Sequence, residues 1–138
     1  MRLFDGMTVE NGELNISGVG VSELKAQYGT PLYVYDENML VNQCRTFINN
    51  FKSSRFNTEV LYASKAFSCL EVLRIASREG LGVDVVSLGE IHTAYKAGYD
   101  MRRAYFHGNN KTREELQYAL EVGVGTIVVD NDYEYEMI

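Results

Sequence analysis

The chain has 138 residues, 46% apolar and 23% charged, with 13 Lys and Arg against 19 Asp and Glu for a net charge of −6. That is one domain's length at most, and the composition excludes disordered and collagen-like classes. The acidic balance, with only Arg102 and Arg103 adjacent, offers no basic track for nucleic acid, and no apolar run reaches the roughly 18 residues of a membrane span. The opening segment is polar and turn-rich where a signal peptide needs an apolar stretch, so a cytoplasmic protein is expected. Cys44 and Cys69 lack CxxC spacing and a nearby histidine pair. Free, buried thiols are expected rather than a disulfide framework or a zinc or other metal site.

Met7-Thr8-Val9 and Glu13-Leu14-Asn15-Ile16 flank Asn11-Gly12, a pair that tolerates the positive φ of a hairpin turn. Ser22 to Gln27 predicts one or two helical turns, ended by Gly29 and the single proline, Pro31, and Leu32-Tyr33-Val34-Tyr35 predicts a strand. From Asp36 the pattern changes. Asp36 can cap a helix whose apolar positions Leu40, Cys44, Phe47, Ile48 and Phe51 share one face at a 3.6-residue period. Strand Glu59–Ala63 is followed by a helical face of Cys69, Val72, Leu73 and Ala76, closed by Gly80. Strand Val83–Val86 precedes a helix lined by Ile91, Ala94 and Tyr95 and ended by Gly98. After strand Ala104–Phe106, Thr112 and Glu115 form a capping box ahead of Leu116, Ala119 and Leu120, and Gly123 stops that helix before strand Thr126–Val129. Asn131 and Glu134 mark another helix start.

The expected strand centres Val60, Asp84, Tyr105 and Val128 lie 24, 21 and 23 residues apart. A repeated strand-helix unit of this length builds an α/β fold with a parallel sheet, doubly wound or closed as a (β/α)8 barrel. A complete barrel needs about 250 residues, so four strands are expected to be part of something longer.

Gly-x-Gly pairs at Gly18/Gly20, Gly80/Gly82 and Gly123/Gly125 are each followed by Glu23, Val85 or Val128 where a dinucleotide fingerprint needs its third glycine. Lys111-Thr112 resembles the end of a phosphate loop, but Asn110 and Tyr105 stand where glycines belong. Asp130, Asp132 and Glu134 have calcium-loop spacing, yet Tyr135 replaces the obligatory glycine, so a solvated acidic helix start is expected. What remains is position: Lys65, Ser87, His107-Gly108-Asn109 and Asp130-Asn131 each follow the C-terminal end of an expected strand. That rim carries the reactive groups of barrels, although strand ends are polar in any case. Lys65 lies between Ser64 and Ala66 directly after an expected buried strand, where desolvation would leave an amine able to attack a carbonyl and small neighbours would leave room for a flat ring. Spacing alone favours an exposed lysine opening a loop.

Tyr62-Ala63-Ser64-Lys65-Ala66, then Gly82-Val83-Asp84-Val85-Val86-Ser87-Leu88-Gly89-Glu90, then Phe106-His107-Gly108-Asn109-Asn110-Lys111-Thr112, with Thr30-Pro31-Leu32-Tyr33-Val34-Tyr35 before them, resemble the diaminopimelate decarboxylase family. The family belongs to the barrel-type, alanine-racemase-like pyridoxal-phosphate decarboxylases. The resemblance implies a (β/α)8 TIM barrel with a second β domain. Residues 1–36 would be N-terminal strands of the β domain and residues 37–138 the first half of the barrel. It implies decarboxylation of meso-2,6-diaminopimelate to L-lysine and carbon dioxide in a homodimer using pyridoxal 5'-phosphate. Lys65 would hold the cofactor covalently, and Ala63, Asp84, His107 and Asn109 would lie beside it. Asp84 also suits a helix cap or loop carboxylate, and His107 a structural role. The family's phosphate cradle, the acidic partner of its pyridine nitrogen, its stacking histidine and its catalytic cysteine match no residue of this chain, so these 138 residues alone are expected to be inactive. A related decarboxylase acting on arginine, ornithine or carboxynorspermidine, and a non-catalytic cofactor-binding protein, are the alternatives.

Overall fold

A computed structural model describes residues 3–138. They divide into two compact units, one ending at Gln43 and the other beginning at Cys44.

In the first unit, β1 (Met7–Glu10), β2 (Glu13–Ile16) and β3 (Val19–Gly20) form an antiparallel sheet in that order. Asn11 and Gly12 take φ of 52° and 80° between β1 and β2, as the hairpin turn demands. Ser17 and Gly18, at 47° and 82°, repeat the device before β3. Ser17-Gly18, a known turn pair, thus makes a second turn beyond the Asn11-Gly12 turn expected from sequence. Helix α1 (Val21–Tyr28) ends at Gly29 as expected. Leu32–Tyr35 is not a strand: it is exposed chain that pairs with none of the described strands. Its β-forming residues have no ladder to join, and propensity without a partner does not make a strand. Asp36 caps α2 (Glu37–Asn50) by accepting a hydrogen bond from the Met39 amide at 3.2 Å.

The second unit holds the last turns of α2 and then β4 (Leu61–Ala63), α3 (Leu70–Arg78), β5 (Gly82–Val85), α4 (Leu88–Ala97), β6 (Ala104–Phe106), α5 (Arg113–Glu121), β7 (Thr126–Ile127) and α6 (Asp132–Met137). The strands are parallel and lie in the order β4-β5-β6-β7. A doubly wound sheet reverses direction at a switch point. This sheet advances in one direction, as a barrel does.

Strand side chains alternate between faces. Val83, Val85, Ala104 and Phe106 are buried in one core with Leu73, Ala76, Ile91, Ala94, Leu116 and Ala119 from α3, α4 and α5, and Tyr62 and Ile127 pack against it. The other face therefore carries Leu61, Ala63, Gly82, Asp84, Tyr105 and Thr126, and the register aligns Ala63, Asp84, Tyr105 and Thr126 in one row. Burying a side chain such as Phe106 or Leu73 stabilises by about 1.5–3 kcal/mol, so the helical face carries the stability. On α2, Cys44 and Ile48 join this core, while Phe47 and Phe51 remain exposed. The expected apolar face is thus only partly covered. Cys44 and Cys69 are unpaired and half-buried rather than buried.

The glycine pairs now have a physical account. Gly80 and Gly123 take φ of +85° and +78° just after α3 and α5. Gly82 and Gly125 then lead into the strands where there is no space for a side chain: a Cβ on Gly125 would lie 1.9 Å from the Arg102 carbonyl oxygen.

Candidate active site

Lys65 sits on a single 3-10 turn, Ser64–Ala66, directly after β4. Ser64 is completely buried and its hydroxyl donates to the Glu90 carboxylate. Glu90 also accepts from the Val86 amide at 3.2 Å and the Ser87 hydroxyl at 3.2 Å, so the turn bearing Lys65 is tied to the start of α4. The expected burial of Lys65 is not found. β4 is half-buried and the Lys65 side chain is exposed, because the face opposite the helices is open. Its ammonium makes no hydrogen bond or ion pair among the described residues.

Asp84 is on β5 in the same row as Ala63, so it is neither a helix cap nor a loop carboxylate. Ser87 caps α4 instead, accepting from the Glu90 amide at 3.3 Å. The Oδ1 atom of Asp84 is buried and has no hydrogen-bond partner among the described residues. His107 Nε2 faces it at 3.7 Å, outside hydrogen-bond reach. The His107 amide extends the ladder by donating to Val85 O at 2.9 Å, and Gly108 follows with φ +111°, a value that favours glycine. The chain thus brings Asp84 and His107 together and places Lys65 on the same edge of the sheet. Asn109 is exposed on the loop and has no partner among the described residues.

Each helix that follows a strand from β5 onward starts with the same device. Ser87, Thr112 and Asn131 cap α4, α5 and α6, and each accepts from the amide three residues on, at Glu90, Glu115 and Glu134. Each glutamate then reaches back to the preceding unit: Glu90 to Ser64, Glu115 to the Leu88 amide at 3.0 Å, and Glu134 to Lys111 at 2.5 Å. The rim is laced from unit to unit. Asp130 and Asn131 belong to this lacing, Asn131 as cap and Asp130 through its amide on Glu134 at 2.7 Å.

This overturns the expectation of a solvated acidic helix start, because the Glu134 side chain is only 3% exposed and pairs with Lys111 at 1%. Burial pushes the Glu134 carboxyl up, but the Lys111 ammonium and the Asp130 amide outweigh it and hold the carboxyl below its usual value. The partners are 23 residues apart, and only the helical spacing of Asn131 and Glu134 hinted that this glutamate had a fixed place. Away from the rim, His92 Nδ1 meets the Tyr118 hydroxyl at 2.8 Å on the outer helices.

An unpaired amine, a carboxylate oxygen lacking a donor and an imidazole on one sheet edge can hold an aldehyde-bearing ligand and position protons on it. A concavity of about 570 Å³ lined by Tyr95, Tyr99, Asp100, Met101 and Arg102 lies at the opposite end of the strands, and its Arg102 is already paired with Asp100 at 2.8 Å.

Comparison with known proteins agrees with this geometry. Residues 37–138 match the family described as pyridoxal-dependent decarboxylase, pyridoxal binding domain. The chain is 49% identical over 129 residues to diaminopimelate decarboxylase of Bacillus methanolicus and 48% identical over 129 residues to that of Bacillus subtilis (strain 168). Those matches cover 94% of this chain but 30% and 29% of the relatives, so the chain spans about a third of their length. A crystal structure of diaminopimelate decarboxylase from M. jannaschii in complex with L-lysine superposes with a TM-score of 0.90 at 32% identity, covering 97% of this chain and 32% of that one. The second unit is the first half of a (β/α)8 barrel, and the family's cofactor is pyridoxal 5'-phosphate. The chain belongs to the pyridoxal-dependent decarboxylases, through their pyridoxal-binding domain.

Proposed function

We propose that the protein carrying this chain decarboxylates meso-2,6-diaminopimelate to L-lysine and carbon dioxide, with pyridoxal 5'-phosphate held on Lys65. The observation that carries the reading is the buried, unpartnered Asp84 Oδ1 on the same sheet edge as the exposed Lys65 amine. These residues fit the cofactor: an amine for its aldehyde, a carboxylate still lacking a donor, and Ala63 beside Asp84, too small to fill the row. Relatives nearly half identical to this chain bear the name of that decarboxylase, which favours diaminopimelate over other amino acids.

The cofactor, when bound, supplies an electron sink for the pair left at the α-carbon as carbon dioxide departs. Lys65 binds it from a turn that Ser64 and Glu90 hold rigid, so little ordering is required on binding. Asp84 presents a carboxylate on the inner face, and His107 stands beside it with Nε2 3.7 Å from Oδ1. Asn109 lines the loop next to His107 and is free to turn toward substrate. Strands β1, β2 and β3 belong to a second β domain, with residues 37–138 in the barrel. The protein acts in the cytoplasm as a homodimer; no helix among the described residues is long and apolar enough to cross a membrane.

The test is release of carbon dioxide by the whole protein from meso-2,6-diaminopimelate, arginine, ornithine and carboxynorspermidine in parallel. Formation of L-lysine in step with carbon dioxide from the first is expected. Turnover of one of the others instead, or bound cofactor with no turnover of any, contradicts the reading.

A further inference from the structure

Lys111 is a fully buried cation outside the catalytic row. Its Nζ lies 2.5 Å from Glu134 Oε1 and donates to Gly108 O and Val128 O, each at 2.7 Å. Two hydrogen bonds and one ion pair thereby surround the nitrogen. Each ties a different segment: Glu134 on α6, Val128 just past β7, and Gly108 in the loop after β6. The Phe106 ring lies 5.5 Å from the same nitrogen and adds a favourable face.

A buried ion pair is poor grounds for stability, because desolvation offsets much of the attraction. What this one fixes is direction. The Gly108 carbonyl it clamps belongs to a residue at φ +111°, and a Cβ there would already touch Val86 O at 3.4 Å. His107 is held on its other side by its own amide on Val85 O at 2.9 Å. With both flanks fixed, the imidazole stands over Asp84 at 3.7 Å.

We propose that Lys111 is a positioning residue for the pyridoxal-binding mouth, its ammonium anchored by Glu134 and clamping the Gly108 carbonyl so that His107 is held against Asp84. The proposal rests on the reading of Lys65, Asp84 and His107 given above.

A double-mutant cycle in the whole protein tests it, with Lys111→Met and His107→Gln made singly and together. The readouts are the dissociation constant of pyridoxal 5'-phosphate from the apoprotein, and kcat and KM measured separately. Lys111→Met is expected to weaken cofactor binding or lower kcat by about tenfold, less than the roughly hundredfold cost of a full 1 Å misplacement because the His107 amide remains tied to Val85 O. In the His107→Gln background the same change is expected to cost less than about twofold, since nothing remains to position. Equal losses in both backgrounds overturn the proposal. If Lys111→Met does not fold, Glu134→Gln enters the same cycle, keeping shape and an acceptor oxygen while removing the charge. A loss of about threefold that requires His107 is expected there, and no loss, or one independent of His107, overturns the proposal. Borohydride reduction of the unmodified protein separates the two readings. No label on Lys65 refutes the site itself, whereas a labelled Lys65 with an additive cycle refutes only the role of Lys111.

Discussion

At the N-terminal ends of the parallel strands the charges are answered within the chain. Glu59 accepts from Arg103 Nε at 3.0 Å, Arg103 Nη2 at 2.8 Å and the Tyr105 hydroxyl at 2.9 Å, and Arg103 also reaches Gly80 O at 2.8 Å. Gly82 leaves the room this cluster needs, since a Cβ there would meet Leu61 Cδ2 at 2.5 Å and Glu59 Oε1 at 3.0 Å. At the C-terminal ends of the same strands, Asp84 Oδ1 has no donor and the Lys65 amine no acceptor among the described residues. Polar side chains stand on the inner face at both ends, but only one end is complete without a ligand. Satisfied polar groups stabilise the fold, and a buried group left unsatisfied calls for an explanation such as a bound ligand.

Substitutions can break this contrast. The largest effect on stability is expected from Gly125→Ala, which forces a Cβ toward the Arg102 backbone carbonyl; a loss of about 3 kcal/mol is expected in denaturant unfolding. Asp84→Asn and Glu59→Gln form the sharper pair. Asp84→Asn should leave stability within about 0.5 kcal/mol, having no hydrogen bond to lose, while lowering kcat/KM about a hundredfold. Glu59→Gln should do the reverse, costing about 1 kcal/mol of stability in its partly exposed setting with cofactor affinity unchanged. If both variants lose stability and neither loses function, the two ends do not differ as argued.

The smallest effect is on pH dependence. Burial pushes the Glu115 carboxyl up, but the Thr112 and Leu88 amides hold it below its ordinary value, as Lys111 and the Asp130 amide do for Glu134. Carboxyls depressed on folding contribute fully above their unfolded pKa, about 4.3 for Glu. That contribution is lost as pH falls through the folded value. The unfolding midpoint should therefore stay level from about pH 7 to about pH 5 and decline below about pH 4. Glu115→Gln should make the acid decline shallower, and an unaltered decline would remove Glu115 from the account.

Local chemistry was readable from sequence wherever the decisive partners are close along the chain. The Thr112 and Glu115 capping box, the left-handed Gly98 after α4 and the Asn11-Gly12 turn are all found as expected. Long-range pairing was not readable. Leu32–Tyr35 has strand-like residues but pairs with none of the described strands, and the fate of Glu134 depends on Lys111, 23 residues earlier. The same limit applies within the site. Position after a strand selected Lys65 and His107, yet whether Asp84 faced the helices or the open side depended on strand register, which a single sequence does not fix. Exposure of Lys65 agrees with its spacing and not with a desolvated amine, since partial burial of β4 on one face says nothing of the other.

The most direct measurement is borohydride reduction of the protein with bound pyridoxal 5'-phosphate, followed by peptide mapping. The reduced cofactor is expected on the peptide containing Tyr62-Ala63-Ser64-Lys65-Ala66. Recovery of the label on another lysine, such as Lys96 or Lys111, with Lys65 unmodified would contradict it.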